Sequence, residues 1–586
     1  MNNELKNAEN HLSKSAFENL KIWFLSKRYK EFHTEIKKII LDEKWEELEE
    51  SFFKVLEFGT AGRRGKVGVG PNRINLMTIS ESAQALADYL KLKKEHNLSV
   101  AIGWDVRNSS KELSQRCAEV LAANQIKVFY FNSPRSTPEL SFSVRELRAS
   151  AGIVISASHN PPQDNGIKIY WSDGAQVSSP NDKNLMKIAR NIKDIKTGNF
   201  EELKQNGKIQ ILGEEIDEKY ININTKLSVG KNRNAKIVFS PIHGTGSTNL
   251  LRTLKSAGFN NIILVDEQMN FDGDFLTLPD KKPNPENLSA NKMAIEKLKQ
   301  TCADIALTTD PDADRICVMS LEKNGEVRSF SGNQTAILAA DYLLSKIHDK
   351  INKYENLYFE DRRFICKSFV TTDALNALAK KYDVKIYDDL MVGFKFIGKK
   401  ILQKESEGEI FIAGFEESLG GLVGDQTRDK DAATIGLIIS ELASDLQRKN
   451  KTLGEKLDEI YSEIGFFTEK TESVEFSGSN GFNKMQEIMQ KVRSGEETFG
   501  ATKIKDFENL TETNIATGEK SKFNMLEGGN AVSFEFMKPE NRITIRPSGT
   551  EPKIKIYAQW LFAKKEDCAK IEEIITDFKR RILNEC

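Results

Sequence analysis

From Ser99 onward the chain alternates short apolar runs with amphipathic stretches of helical period, and this alternation limits the possible folds more than any other feature. It predicts strands at 99–103, 127–131, 152–155, 236–239, 262–265, 304–307, 316–319, 367–370, 385–387 and 409–412. Helical patterns at 110–124, 247–257 and 335–345 lie between them. Strands alternating with helices call for α/β units on a largely parallel sheet, because a helical crossover lets successive strands run the same way.

The pattern restarts near residues 235 and 330, each time after a polar stretch, although no strict repeat is visible. Residues 1–55 differ, with Ile22, Phe24, Leu25, Ile36, Ile39, Ile40 and Leu48 spaced as in helices on a charged background. From about 456 the texture changes again. Strands at 474–476, 531–536, 542–545 and 554–560 precede a terminal amphipathic helix at 565–584, an α+β arrangement. The expected organisation is a helical extension (1–55), three related α/β domains (56–230, 231–330 and 331–455) and a fourth domain of another kind (456–586).

A chain of 586 residues is too long for one core, so several domains are expected. Lys+Arg 85 against Asp+Glu 86 argues against a general nucleic-acid or polybasic membrane binder. The six cysteines are scattered, with no C-x-x-C pair, which fits reduced thiols better than a disulfide framework. No secretory signal is visible after Met1, and no apolar run approaches membrane-spanning length. The expected setting is the cytoplasm.

Several loops carry chemistry. Ser156-Ala157-Ser158-His159-Asn160-Pro161-Pro162 follows an apolar strand and leads into Asp164-Asn165-Gly166-Ile167-Lys168. A serine at the C-terminal lip of a buried strand can hold a nucleophile or a covalent phosphate, although the stretch also fits a plain turn. Asp310-Pro311-Asp312-Ala313-Asp314-Arg315 sets three carboxylates at alternating positions, suited to one hard cation. An EF-hand is excluded, since Arg315 and Leu321 stand where its glycine and glutamate belong. A solvated acidic turn is the plainer alternative. Arg546-Pro547-Ser548-Gly549-Thr550-Glu551-Pro552-Lys553 offers hydroxyls, backbone amides and cations for a phosphate, or forms a simple hairpin turn. Gly414-Phe415-Glu416-Glu417-Ser418 suits recognition of sugar hydroxyls or a helix N-cap. Gly59-Thr60-Ala61-Gly62-Arg63-Arg64-Gly65-Lys66 fails as a Walker A loop, with Thr60 and Val67 at required positions, yet its arginines can approach an anion. His243 in Pro241-Ile242-His243-Gly244-Thr245-Gly246 reads equally as structural or functional.

Together, and in their order along the chain, the motifs resemble the α-D-phosphohexomutase superfamily from Gly59 to Tyr557. The chain length, the helical lead, Glu57-Phe58-Gly59-Thr60-Ala61-Gly62 and Arg428-Asp429-Lys430-Asp431-Ala432 resemble its long phosphoglucomutase/phosphomannomutase branch. The resemblance implies a heart-shaped protein of four domains, three related α/β domains plus a C-terminal α+β domain, with the site in a central cleft. Ser158 would be the phosphoserine, and Asp310, Asp312 and Asp314 would hold Mg²⁺ with one oxygen of that phosphate. Arg315 would lie near the phosphoserine, and Lys168 and His159 would be acid–base candidates. Arg64 matches the family's arginine, whereas Arg63 stands where an apolar residue is common, leaving open which faces inward. Glu416 and Ser418 would read sugar hydroxyls, with Gly393, Phe394 and Lys395 as a second sugar-contact loop. Arg546, Ser548, Gly549 and Thr550 would grip the phosphate not being transferred.

The implied activity interconverts hexose 1- and 6-phosphates through a phosphoserine enzyme, with hexose 1,6-bisphosphate as intermediate and activator. Glucose is the favoured sugar, with mannose or a pentose as alternatives, and phosphosugars are the expected partners. A bisphosphate synthase and a catalytically silent sugar-phosphate binder are further readings. The intact Ser158 and aspartates weigh against the silent one. The sequence leaves the oligomeric state open.

Overall fold

The computed structural model describes residues 3–56, 62–93, 98–353, 362–476, 481–548 and 553–583. Residues 1–228, 233–319 and 424–440 form one compact unit, and residues 229–232, 320–423 and 441–586 form a second.

The first unit opens with the helices Asn3–Glu9, Lys14–Leu25, His33–Leu41 and Trp45–Phe52. They bury Phe17, Leu20, Trp23, Ile36, Leu48 and Phe52 in a core of their own. Ser13 starts the second of these helices by accepting from the Ala16 amide.

A six-stranded sheet follows, built from β1 (Gly62–Lys66), β2 (Ser99–Trp104), β3 (Lys127–Phe131), β4 (Ala151–Ile155), β5 (Asp164–Trp171) and β6 (Ile209–Leu212), in the order β1-β5-β4-β2-β3-β6. The strands β4, β2, β3 and β6 run parallel. Every residue of β2 and β4 is buried, as expected for parallel strands covered on both faces. Alternate residues serve opposite cores: Val100, Ile102, Ile153 and Ile155 face one, Ala101 and Val154 the other.

The strand β5 falls where the sequence at 164–168 reads as part of the serine turn. It runs back antiparallel to β4 and pairs with the edge strand β1. A second sheet in this unit has β7 (Ile237–Ser240), β8 (Ile262–Leu264), β9 (Ile305–Thr309) and β10 (Ile316–Leu321), ordered β10-β9-β7-β8. Here β8 and β9 flank β7 in parallel.

In the second unit, after β11 (Val327–Phe330) and the helix Gly332–Lys353, come β12 (Arg363–Ser368), β13 (Lys385–Leu390), β14 (Ile410–Glu416) and β15 (Gly420–Val423). Their order is β13-β12-β14-β15, with only β15 antiparallel. The strand expected at 367–370 lies earlier, because Lys367 is a buried member of β12 and Phe369 and Val370 lie beyond its end.

The C-terminal part is a seven-stranded antiparallel sheet of β16 (Phe466–Glu475), β17 (Lys503–Asp506), β18 (Thr511–Asn514), β19 (Lys520–Lys522), β20 (Val532–Glu535), β21 (Arg542–Pro547) and β22 (Lys553–Phe562). Its order is β16-β22-β21-β20-β17-β18-β19. Helices Gly481–Ser494 and Lys570–Leu583 share its core, the α+β arrangement expected. The strand expected at 474–476 is only the end of β16, whose charged sequence hides its strand character.

Candidate functional site

Ser158 sits just beyond the C-terminal end of β4, where α/β sheets place ligand-binding loops. Its φ of 50° is left-handed, an uncommon conformation for serine. The turn is held by the Ser158 amide, which donates to Ser156 Oγ at 2.8 Å. Ser158 Oγ donates to Asp310 Oδ2 at 2.6 Å and lies 3.2 Å from His159 Nδ1.

The Asp310 loop follows β9. Because β7 runs parallel beside β9, the loop after β7 reaches the same edge. Thr245 there donates through both N–H and hydroxyl to the Pro311 carbonyl, at 2.8 and 2.9 Å. A Cβ at Gly244 or Gly246 would collide with Pro311 or Thr309, so glycine permits the close approach. His243 beside them is structural: its ring nitrogens contact the Asn270 carbonyl and Thr277 Oγ1.

Asp310, Asp312 and Asp314 each bring an oxygen within 4.8 Å of the others, and all three are buried. Asp312 Oδ1 and Asp314 Oδ1 are buried without hydrogen-bond partners among the described residues. Two orphaned carboxylate oxygens within a buried cluster of three aspartates fit a hard divalent cation. The Asp310 carboxyl is raised well above the usual carboxylate range by burial and by Asp314 and Asp312 beside it, a repulsion that a bound cation would relieve. Asp312 is held low despite its burial, by Lys168 and by the Thr137 hydroxyl.

Lys168, on β5, places Nζ 2.6 Å from Asp312 Oδ2 and 3.7 Å from Asp314 Oδ2. A base at this position would need a lowered pKa. Burial does press it down, but the Asp312 and Asp314 carboxylates outweigh burial and raise it. His159 is driven well below its ordinary value by burial and by the Arg315 and Arg64 charges, so it is neutral. The Arg315 amide donates to Asp310 Oδ1 at 3.1 Å, and its guanidinium lies 3.8 Å from Asp314 and 3.7 Å from Glu286.

The geometry separates the two arginines of the first loop. Arg63 is buried, with Nη1 donating to the Thr78 carbonyl and pairing with Glu81 at 3.0 Å. Arg64 is exposed and reaches Asn160 Oδ1 in the serine turn at 3.4 Å. The N-terminal helices brace this segment: Glu50 pairs with Lys66 and Arg73, and Arg28 shares Glu81 with Arg63.

Several groups around this cluster were not singled out from sequence. Thr137, the first residue of helix Thr137–Glu146, donates Oγ1 to Asp312 Oδ2 at 2.7 Å. Lys430 Nζ stands 3.2 Å from Asp314 and 3.1 Å from Asp429, and Tyr170 and Gln176 hold the other Asp429 oxygen at 2.6 and 2.9 Å. Arg107, after β2, donates to four carbonyls of the serine turn. The 428–432 motif pointed towards Lys430, but nothing local marked Thr137 or Arg107.

In the second unit Gly393, with φ 126°, donates its amide to Glu416 Oε1 at 2.7 Å, so the two expected sugar loops meet there. Phe394 begins helix Phe394–Ser406, and its side chain is committed to the core with Phe364 and Ile397. Lys395 lies half-buried over the Phe396 ring, and Ser418 is half-buried in the turn after β14. Arg546 is half-buried near the end of β21, and the Ser548 amide donates to the Lys553 carbonyl at 2.7 Å. The Tyr557 hydroxyl is raised by burial and by Glu417 and Glu416 and is opposed by Arg546, which brings the sugar and phosphate loops into one electrostatic neighbourhood. Gly549 and Thr550, like 57–61 of the first loop, lie outside the described residues.

Comparison with known proteins agrees with this arrangement. Phosphoglucomutase/phosphomannomutase α/β/α domain I matches residues 55–196, domain II residues 217–323 and domain III residues 331–464. The phosphoglucomutase of Staphylococcus aureus (strain N315) is 34% identical over 527 residues, covering 89% of this chain and 93% of its own. That of Staphylococcus haemolyticus is 34% identical over 518 residues, covering 87% and 91%. Among solved structures, a phosphoglucomutase/phosphomannomutase family protein from Burkholderia thailandensis aligns with TM-score 0.64 at 18% identity, covering 90% of this chain and 97% of its own. The parafusin phosphoglucomutase of Paramecium aligns at 0.63 and 19%, covering 90% and 95%. These two show the shared fold. With three domain models and relatives matched over most of its length, the chain belongs to the phosphoglucomutase/phosphomannomutase family of phosphosugar mutases.

Proposed function

We propose that this mutase interconverts glucose 1-phosphate and glucose 6-phosphate through phosphorylated Ser158 and glucose 1,6-bisphosphate. The observation that carries the reading is Ser158 Oγ at 2.6 Å from Asp310, within a buried aspartate cluster that has orphaned oxygens. Phosphoryl transfer needs alignment and charge neutralisation more than covalent activation, and the residues around Ser158 supply both. Asp310, Asp312 and Asp314 would hold Mg²⁺ with an oxygen of the phosphoserine, where the cation neutralises charge on the transferring group.

In the forward half-reaction the Ser158 Oγ–P bond breaks as the sugar 6-oxygen bonds to phosphorus. The sugar hydroxyl gives its proton to a base while the released Ser158 Oγ takes one from an acid, and in the return step Ser158 Oγ gives up its proton while the C1 oxygen gains one. The bisphosphate then presents its 1-phosphate, whose bond to C1 oxygen breaks as Ser158 Oγ is rephosphorylated. His159, kept neutral, is the proton acceptor beside the serine oxygen. Lys168, kept protonated by its carboxylate partners, is the proton donor. Arg64 and Arg315 balance phosphate charge. Glu416, Ser418, Gly393 and Lys395 read sugar hydroxyls, and Arg546 and Ser548, with Gly549 and Thr550, receive the phosphate not in transfer. Within the family, glucose is favoured because the Staphylococcus relatives are phosphoglucomutases.

The five described cysteines form no disulfide, and no described helix is long and apolar enough to cross a membrane, which supports placement in the cytoplasm. A coupled assay with Mg²⁺ and a trace of glucose 1,6-bisphosphate tests the reading by comparing glucose, mannose and ribose 1-phosphates. The expected result is the highest kcat/KM for glucose 1-phosphate. Preference for another sugar would move the specificity, and no turnover of any sugar would overturn the reading.

A further inference from the structure

Arg107 lies three residues beyond β2, the strand next to β4, with its side chain fully enclosed. Nη1 donates to the carbonyls of Pro161 at 2.7 Å and Asp164 at 2.9 Å. Nη2 donates to the carbonyls of Ser158 at 2.6 Å and Asn160 at 2.5 Å. One guanidinium thus ties together the whole turn that carries the serine.

The turn needs such a donor. Pro161 and Pro162 contribute no N–H, and while the Asp164 amide reaches the Pro161 carbonyl at 3.0 Å, the Ser158 and Asn160 carbonyls take their donor from Arg107. The left-handed backbone at Ser158 also needs support, because surrounding contacts must hold an uncommon conformation in place. A planar fork can serve several acceptors in fixed directions, which a lysine ammonium cannot.

Arg107 is itself held. Its Nε lies 3.3 Å from Asp105 Oδ2, and Asp105 Oδ1 accepts from the Arg107 amide at 3.1 Å and Ser110 Oγ at 2.6 Å. Its guanidinium lies 5.5 Å from the ring centre of Phe275, from the segment that follows β8. Asn108 donates to Asp274 Oδ1 at 2.9 Å, and Val106 shares a core with Ile242, Phe275 and Leu278. The same short loop therefore grips the serine turn and seats it on the part of the molecule that carries the aspartate loop.

We infer that Arg107 is a positioning residue for phosphoryl transfer, fixing the backbone of the Ser158 turn so that Oγ faces Asp310. It acts through the turn and touches no reacting atom. The inference rests on the mutase reading for its catalytic consequence, while its geometric content stands independently.

The test compares wild type with Arg107→Lys and Arg107→Met, each loaded with Mg²⁺. Phosphorylation of Ser158 by glucose 1,6-bisphosphate is followed by mass spectrometry, steady-state kcat and KM are measured, and amide exchange is recorded over 157–166. The expected result for Arg107→Lys is a kcat and a Ser158 phosphorylation rate reduced about ten- to a hundredfold, the scale of a misplaced reacting group. KM for glucose 1-phosphate changes little, and exchange accelerates in 157–166 while β2 and β4 stay protected. Arg107→Met is expected to show the larger loss. A purely structural role would lower the melting temperature and folded yield yet leave kcat per folded molecule and turn exchange at wild-type values. Either that pattern or unchanged phosphorylation in folded Arg107→Lys overturns the inference. Wild type that never acquires phosphate on Ser158 would instead overturn the mutase reading, and the exchange comparison would still decide whether Arg107 holds the turn.

Discussion

Two buried charge clusters, one in each unit, use similar residues to opposite ends. In the second unit Asp373 lies between Lys367 and Arg542: Oδ1 accepts from Lys367 at 2.8 Å and from Arg542 at 2.9 Å, and Oδ2 pairs with Arg542 as well. Its carboxyl is pulled far below the usual range, overcoming burial. In the first unit three aspartates crowd together, Asp310 is raised, and two carboxylate oxygens lack partners. A satisfied cluster is costly to break, because removing one member strands a buried charge. An unsatisfied one costs stability and persists where a ligand completes it.

The largest expected effect falls on the unsatisfied side. Ser158→Ala is expected to lose turnover by a factor on the order of 10⁴ or more, as when a nucleophile is removed, with an unchanged circular dichroism spectrum. Near-normal activity in that variant would break the contrast at its centre.

Asp310→Asn is expected to cost at least about a hundredfold in turnover through loss of the metal site. Measured in chelator near neutral pH, the same substitution should raise the melting temperature, because folding no longer has to protonate or crowd the raised Asp310 acid. Mg²⁺ should then stabilise the variant less than wild type. A lower melting temperature in chelator would mean that this cluster, too, is internally balanced.

Asp373→Ala should do the reverse. It strands Lys367, which is 1% exposed, beside Arg542 and is expected to cost about 3–5 kcal/mol of local stability, read by thermal unfolding. Mg²⁺ dependence should remain that of wild type.

The smallest effect concerns Asp431, which is fully buried, accepts from Tyr220 at 2.9 Å, and is pushed by burial from 3.8 up to about 7. Between those values the folded chain keeps a proton that the unfolded chain has released, so its contribution to stability falls as pH rises through the window. Asp431→Asn, which mimics the protonated acid, should raise the melting temperature at pH 7.5 by a margin that vanishes towards pH 4. A margin independent of pH would show that Asp431 is charged in the folded protein.

The loops themselves were readable in the chain because their chemistry is local: three alternating aspartates, a serine before Asn-Pro-Pro, and an acid pair after a strand. The strand β5 was not readable, since Asp164-Asn165-Gly166 looks like a turn until β1 and β4 are seen on either side. The role of Arg63 was also hidden. Only its burial against Thr78 and Glu81 distinguishes it from Arg64. Phe394 reads as part of a sugar loop by position, yet its side chain is taken by the core.

Composition, periodicity and motif order are properties of neighbouring residues, and they sufficed for the α/β class, the α+β C-terminal part and the candidate loops. The partners of those loops are not neighbours. Ser158 meets Asp310 across 152 residues and Lys168 meets Asp312 across 144. Arg107 closes on a turn more than 50 residues away. Such contacts form only once the two sheets of the first unit are assembled, with Ser158 beyond β4 and Lys168 on antiparallel β5 in one and the Asp310 loop after β9 in the other, and no spacing along a chain specifies which distant group will face which. Protonation follows the same rule. Lys168 as a cation, His159 as a neutral imidazole and Asp310 as a raised acid are set by burial and by charges brought near in folding.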